Sequence, residues 1–124
     1  MGIKNKLEKI ARLAMQSVNM IYYNFKAKAY KNDSKYRDLW IISERGTEAK
    51  DNGFCFFEYL CKNHPEINAR YVIDKKAAGE DYKKLLPYED RLIEYGGEEH
   101  KIAYILASHA ISSHAGFLEP WSYR

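Results

Sequence analysis

The sequence predicts an α/β protein, with a Rossmann-like parallel sheet of about four strands preceded by a basic amphipathic helix. After residue 38, short apolar runs alternate with segments of helical periodicity, an order typical of β-α-β units with right-handed crossovers. Over residues 3–25, apolar residues instead recur at steps of three and four, which is the spacing of one helix face. We therefore divide the chain into an arm, residues 1–34, and a domain, residues 35–124.

The arm carries an apolar stripe along one side of a predicted helix about 35 Å long. At 100° per residue its members fall within about 80° of arc. The apolar stripe consists of Ile3, Leu7, Ile10, Ala14, Val18, Ile21 and Phe25, and the cations Lys4, Lys9, Arg12 and Lys26 lie on the other side.

Three functions compete for this helix. The first is packing on the rest of the protein, the second is binding in a membrane interface, and the third is self-association as a short coiled coil. In the second interpretation Lys4, Lys9 and Arg12 meet anionic lipid, while Ile3, Leu7 and Ile10 enter the headgroup boundary.

The positive charge of the chain belongs to its first part. Residues 1–37 contain nine Lys or Arg against two acids, a net charge of +7, whereas residues 38–124 contain eleven against fifteen, −4, which together give the formal +3. The domain is therefore not expected to bind nucleic acid through bulk charge. The chain has no run of about 18 apolar residues that would cross a bilayer.

The predicted elements of the domain follow from its apolar runs and its breaker residues. Phe54–Cys61 is apolar around almost its whole circumference, which predicts a helix covered on more than one side. Within it, Cys55 and Cys61 lie about 240° apart and are interpreted as small buried hydrophobes. Gly79–Leu86 forms a short polar helix or turn, and a further helix begins at Glu98. The predicted strands are Leu39–Ile42, Arg70–Asp74, Arg91–Tyr95 and Ala110–His114.

Candidate ligand-binding residues follow the ends of these strands, because ligands of open parallel sheets gather at the carboxyl edge. Arg45 suits bidentate contact with a phosphate, and Asn52 opens a helix whose backbone N–H groups suit the same anion. Alternatively, Arg45 only orders the loop by pairing with a neighbouring carboxylate. Glu44 is either a proton acceptor or a structural group, and His114 is either a site residue or a structural one. The histidines show no metal-ligand spacing, and no cofactor motif is present.

Several motifs between about residues 39 and 114 together resemble the CDP-glycerol glycerophosphotransferase family of teichoic acid synthesis. They are Ser43-Glu-Arg-Gly46, Glu48-Ala49, Asp51-Asn-Gly53, Asn63-His-Pro-Glu-Ile-Asn68, Tyr71-Val-Ile-Asp-Lys75 and Ile111-Ser-Ser-His114. The resemblance implies the N-terminal, acceptor-side half of a two-domain GT-B type transferase, of which this chain matches only the beginning.

By this resemblance, the intact enzyme moves glycerol phosphate from CDP-glycerol to a lipid-linked acceptor at the cytoplasmic face of the bacterial membrane, where it is peripheral. The next alternative is a related transferase that uses another activated polyol. The family's catalytic histidine lies in a later His-Gly motif, and its donor contacts lie in the second half. No catalytic residue is therefore assigned here, and this chain alone is expected to be inactive.

Residues Glu44, Arg45, Gly46, Asn52 and His114 are expected to hold the acceptor phosphate. The alternative function is a non-catalytic membrane-surface adaptor module with a Rossmann-like domain.

Overall fold

The fold is α/β with an all-parallel sheet of four strands and a long N-terminal helix, as a computed structural model describes it for residues 2–113 and Pro120. This confirms the predicted Rossmann-like class. The helices are α1 (Gly2–Ala27), α2 (Asn52–Asn63), α3 (Lys75–Ala78), α4 (Asp81–Leu85) and α5 (Glu98–Leu106), and the strands are β1 (Trp40–Ser43), β2 (Ala69–Ile73), β3 (Leu92–Glu94) and β4 (His109–Ser112). Short 3-10 turns span Lys28–Tyr30, Ser34–Tyr36 and Leu86–Arg91.

The strand order is β3-β2-β1-β4, so the chain moves outward from β1 in one direction and then crosses back to its other side. Ile42 is in register with Tyr71 of β2, and Ser43 is in register with Ser112 of β4. Because neighbouring strands are parallel, β1 and β4 end at the same edge of the sheet.

Alternate residues of the strands build two separate cores, as the two-residue period of a strand requires. On one face, Ile42 and Tyr71 pack with Phe57 of α2, together with residues of α3 and α4. On the other face, Ile41 packs with Ile102 of α5 and with the end of α1. The sheet is therefore a middle layer between helices, and α2 and α5 lie on opposite sides of it.

Helix α2 buries only one of its sides, which corrects two of the predictions. Phe57 is fully buried, but Cys55 is exposed and Tyr59 is 52% exposed. Cys61 is half-buried, and burial raises the pKa of its thiol. An apolar circumference does not by itself require burial on every side, because folded proteins leave part of their apolar surface, including large aromatic side chains, in water.

The arm is helical, and the end of α1 packs on the described part of the domain. Lys26 forms an ion pair with Glu98 of α5, Ala27 is buried, and the ammonium of Lys101 lies 4.9 Å from the centre of the Tyr23 ring. Ile3 and Ile21 further upstream are 78% and 70% exposed. Packing of the stripe on the arm's own domain is therefore not the arrangement adopted. Within the described residues, no helix is both long enough and apolar enough to span a membrane.

The contrast between Phe57 and Tyr59 tests the one-sided burial of α2. We expect Phe57→Ala to lower the free energy of unfolding by about 3–5 kcal/mol, because it leaves a cavity beneath the helix. Tyr59→Ala, on the exposed side, is expected to change it by less than about 0.5 kcal/mol. Urea denaturation followed by circular dichroism measures both changes, and equal losses would contradict the assigned orientation.

Candidate functional site

The candidate site lies at the carboxyl edge of the sheet where β1 and β4 are neighbours. Helix α2 leaves β1 on one face, and α5 reaches β4 along the other face. This is the topological switch point of a doubly wound sheet, where the crevice for a ligand opens. The predicted groups at Ser43–Gly46 and the end of β4 therefore do meet at one edge.

The last residue of β1 and the turn after it are both tied to β2 and the residue that follows β2. The buried Ser43 hydroxyl donates a hydrogen bond to the carbonyl of Val72, with an Oγ to O distance of 3.0 Å. Gly46 has φ of 82°, in the left-handed region that favours glycine, and its carbonyl accepts from the backbone N–H of Asp74 at 2.6 Å. The turn is thus held by its backbone to the strand beside it.

The Glu44 carboxylate is fully buried and occupies the start of α2. It accepts hydrogen bonds from the backbone N–H groups of Lys50 at 3.1 Å, Asp51 at 2.7 Å and Phe54 at 2.9 Å. Asp51, the residue at the cap position, makes no capping bond with its own side chain. A helix start requires an acceptor for its free N–H groups, and here Glu44 is that acceptor. It lies seven residues before Asp51 and ten before Phe54 in the chain.

The absence of a side chain at Gly53 leaves the space that the Glu44 side chain occupies. A Cβ atom at Gly53 would lie 2.8 Å from Glu44 Cγ and 2.8 Å from the carbonyl oxygen of Ser43. Both distances are shorter than packed atoms tolerate. Glycine at this position is therefore a packing requirement of the β1 to α2 connection.

Serine residues at the end of β4 complete the edge. The hydroxyl of Ser112 donates to the carbonyl of Glu44 at 3.0 Å, and the backbone N–H of Ser113 donates to the carbonyl of Ser43 at 3.3 Å. The next residue, His114, is one of the predicted site residues and lies outside the described part of the chain.

Arg45 lies on the outside of the turn, next to Lys50. The side chains of Arg45 and Lys50 are 54% and 58% exposed, and their nitrogens lie 4.0 Å and 3.9 Å from Oε1 of Glu48. At these separations the contacts are loose ion pairs between two exposed cations and a half-buried carboxylate, and such pairs stabilise a protein little. Breaking these two contacts with Glu48 would therefore cost little stability.

The remaining predicted residues have different surroundings. Asn52 is exposed at the first position of α2, whereas Gly46 is buried. The helix start beside Asn52 already holds the Glu44 carboxylate, so a phosphate there would have to displace it or accept its repulsion. The Glu44 carboxylate itself faces backbone donors and has a structural role. Among the predicted groups in residues 43–53, Arg45 is the one with an exposed charge.

Sequence reasoning missed two side chains that order this loop. The Tyr71 hydroxyl donates to the carbonyl of Glu48 at 2.5 Å, and a carboxylate oxygen of Asp81 accepts from the backbone N–H of Ala49 at 3.2 Å. Burial, and after it the charge of Glu44, raises the pKa of Tyr71. Both contacts join residues more than twenty positions apart in the chain, so no local sequence motif predicts them.

Two open clefts of the described structure are lined by other residues. One, of about 410 Å³, lies between Tyr36 and the start of α5, and another, of about 400 Å³, lies beside Trp40 and Asn68. Within residues 2–113 and Pro120, no group of three or more His, Cys, Asp or Glu side chains is placed to hold a metal ion.

Comparisons with protein-family models, with curated proteins and with solved structures find no match to this chain. The resemblance to the glycerophosphotransferases therefore stays a prediction.

Replacing the buried carboxylate tests its capping role. We expect Glu44→Gln to lower the free energy of unfolding by about 2 kcal/mol, because the charge-assisted hydrogen bonds to the helix start are lost while the shape is kept. The matched change Glu89→Gln, at an exposed position, is expected to alter it by less than about 0.5 kcal/mol. Thermal and urea unfolding measure both, and an unchanged stability of the Glu44 variant would refute the cap.

The close approach at Gly53 makes a second prediction. Gly53→Ala is expected to destabilise the protein by about 1–3 kcal/mol, because the added methyl group overlaps the chain at Ser43 and Glu44. Gly97→Ala is the control, since the nearest atom to its Cβ would be 3.5 Å away. We expect that change to shift the unfolding free energy by less than about 1 kcal/mol, and a larger loss at Gly97 than at Gly53 would contradict the packing described.

Proposed function

We propose that this chain is the acceptor-side part of a CDP-glycerol glycerophosphotransferase, which transfers glycerol phosphate from CDP-glycerol to a lipid-linked teichoic acid acceptor. The substrate class comes from the motif resemblance. The observation that supports the role of this part is the switch-point edge, where the turn after β1 meets the end of β4 and carries the exposed guanidinium of Arg45.

The chemistry of that edge suits binding more than bond breaking. The Ser43 and Ser112 hydroxyls donate to backbone carbonyls, and the Glu44 carboxylate accepts from backbone N–H groups. None of these three groups is poised to take a proton from an attacking hydroxyl. The residues at this edge would hold the acceptor while other parts of the enzyme supply the donor and the base.

Arg45 is the proposed principal phosphate ligand, with Lys50 beside it. Arginine recognises phosphate through paired N–H donors, and lysine adds a point charge. Residues 44–51 contain two cations and three carboxylates. Recognition would therefore depend on directed hydrogen bonds of Arg45 and Lys50 and not on bulk positive charge.

A non-catalytic adaptor module is the second candidate. It is favoured by the same internal hydrogen bonds, because Ser43, Glu44 and Ser112 all serve the fold. An adaptor of this kind would use the domain to carry the exposed arm and would bind no acceptor phosphate at the sheet edge.

Removing the guanidinium separates these candidates. We expect Arg45→Gln to weaken binding of a short glycerol phosphate oligomer about tenfold, since a charge-assisted contact contributes on the order of 1.5–3 kcal/mol. Isothermal titration calorimetry of the full chain, at low and at moderate salt, measures the dissociation constant.

The control for this titration is Arg37→Gln, which removes one exposed cation ahead of β1 at the opposite edge of the sheet. We expect it to leave the dissociation constant within about twofold, because a distant exposed charge is screened over about 10 Å at 0.1 M salt. Equal weakening by both substitutions would indicate non-specific attraction. Absence of binding by the unsubstituted chain would favour the adaptor.

A further inference from the structure

The apolar stripe of α1 is the largest feature that the sheet-edge site leaves unexplained. Ile3, Ile21 and Phe25 are 78%, 70% and 77% exposed, and Leu7, Ile10 and Val18 are close to 60%. Soluble domains leave single apolar residues in water, but a continuous row of this size marks a binding surface. The row extends about 35 Å along one side of a helix.

The spacing of the stripe suits a flat surface better than a second helix. Its members repeat every eleven residues, as Ile3, Ala14 and Phe25 illustrate. An eleven-residue repeat has about 3.67 residues per turn, so the row stays almost straight on a helix of 3.6. A seven-residue seam begun at Ile3 and Ile10 would continue through Ser17 and Asn24, which are poor seam residues for a coiled coil.

The charges around the stripe indicate what kind of surface it meets. Measured around the helix axis from Ile3, Lys4 is the one of the four cations named above that lies nearest the stripe, about 40° beyond one border, and Lys6 lies about 40° beyond the other border. Long cationic side chains at such borders can bury their stems and keep their ammonium groups in water. The first 37 residues carry a net charge of +7, so the surface that receives the stripe is expected to be anionic.

We propose that α1 lies flat on an anionic phospholipid bilayer, with the apolar stripe in the headgroup boundary and the lysines on the lipid phosphates. Insertion of the stripe supplies the apolar part of the binding, and each cation near the surface strengthens it by about fivefold. This inference concerns α1 alone and does not depend on glycerol phosphate transfer.

The last turn of α1 transmits this attachment to the domain. Lys26 pairs with Glu98, Lys101 lies against the Tyr23 ring, and Ala27 is buried against α5. The stripe ends at Phe25, next to these contacts. These contacts lie on the side of α1 away from the stripe, so a bound arm would hold the α5 face of the sheet towards the bilayer with α1 between them.

Two substitutions with the same charge change test insertion. Ile10→Glu places a carboxylate in the stripe, and Asn19→Glu places one about 140° from its centre. Both positions are exposed in the structure, so neither change is expected to disturb the fold, and circular dichroism checks this. The probe is a large unilamellar vesicle containing phosphatidylglycerol and phosphatidylcholine, with pure phosphatidylcholine as the reference.

We expect the full chain to co-sediment with the phosphatidylglycerol vesicles and to be released as salt rises. Asn19→Glu is expected to weaken binding about fivefold, through its charge alone. Ile10→Glu is expected to weaken it at least fiftyfold, because the same charge effect adds to the loss of a buried isoleucine, about tenfold or more. Equal effects of the two changes, or no binding by the unsubstituted chain, would overturn the proposal.

Two further measurements report how deeply the stripe enters the bilayer and whether a second copy of the chain covers it instead. With brominated phosphatidylglycerol, the fluorescence of the Leu7→Trp variant is expected to be quenched more than that of the Asn19→Trp variant, after subtraction of the signal of the parent chain. Equal quenching would overturn insertion. Sedimentation equilibrium without lipid is expected to show a monomer, and a dimer that Ile10→Glu dissociates would assign the stripe to a second copy instead.

Discussion

The connection from β1 to α2 depends on one buried carboxylate. Glu44 accepts backbone N–H groups from Lys50, Asp51 and Phe54, and so it holds both the turn and the helix start. Hydrogen bonds to a buried charged group are among the stronger ones, and a buried charge left without them is destabilising. The end of β4 is tied to the same residue, because the Ser112 hydroxyl donates to the backbone carbonyl of Glu44.

The same contact changes how this edge can recognise an anion. In many doubly wound folds the free N–H groups at a helix start receive a phosphate. Here an internal carboxylate already accepts the N–H groups of Asp51 and Phe54, and its negative charge repels an incoming anion. The proposed recognition of an acceptor phosphate therefore relies on side chains on the outside of the turn, where Arg45 is exposed next to the buried Glu44. The contacts of Arg45 and Lys50 with Glu48 are loose ion pairs.

The arm and the domain have different physical characters. The domain covers most apolar residues of β1, β2 and β3 with helices on both faces and is net negative, whereas α1 exposes its apolar row and is net positive. A helix of this kind gains stability when its apolar side leaves water. The proposed sheet-edge site and the proposed lipid-binding surface thus depend on separate residues, and each can be tested while the other is intact.

By itself, the sequence determined the parallel α/β class, the amphipathic arm and the strands to within about two residues, because period and breaker residues are local signals. It also placed Ser43–Gly46 and the end of β4 at one edge, since parallel strands share their ends. The tertiary structure alone decided which side of α2 faces water at Cys55, and which groups order the turn. Glu44 is seven and ten residues from Asp51 and Phe54, and Tyr71 is 23 from Glu48. The packing of the strands brings these distant groups within hydrogen-bond distance. A local sequence pattern does not predict such partners, because it depends only on neighbouring residues.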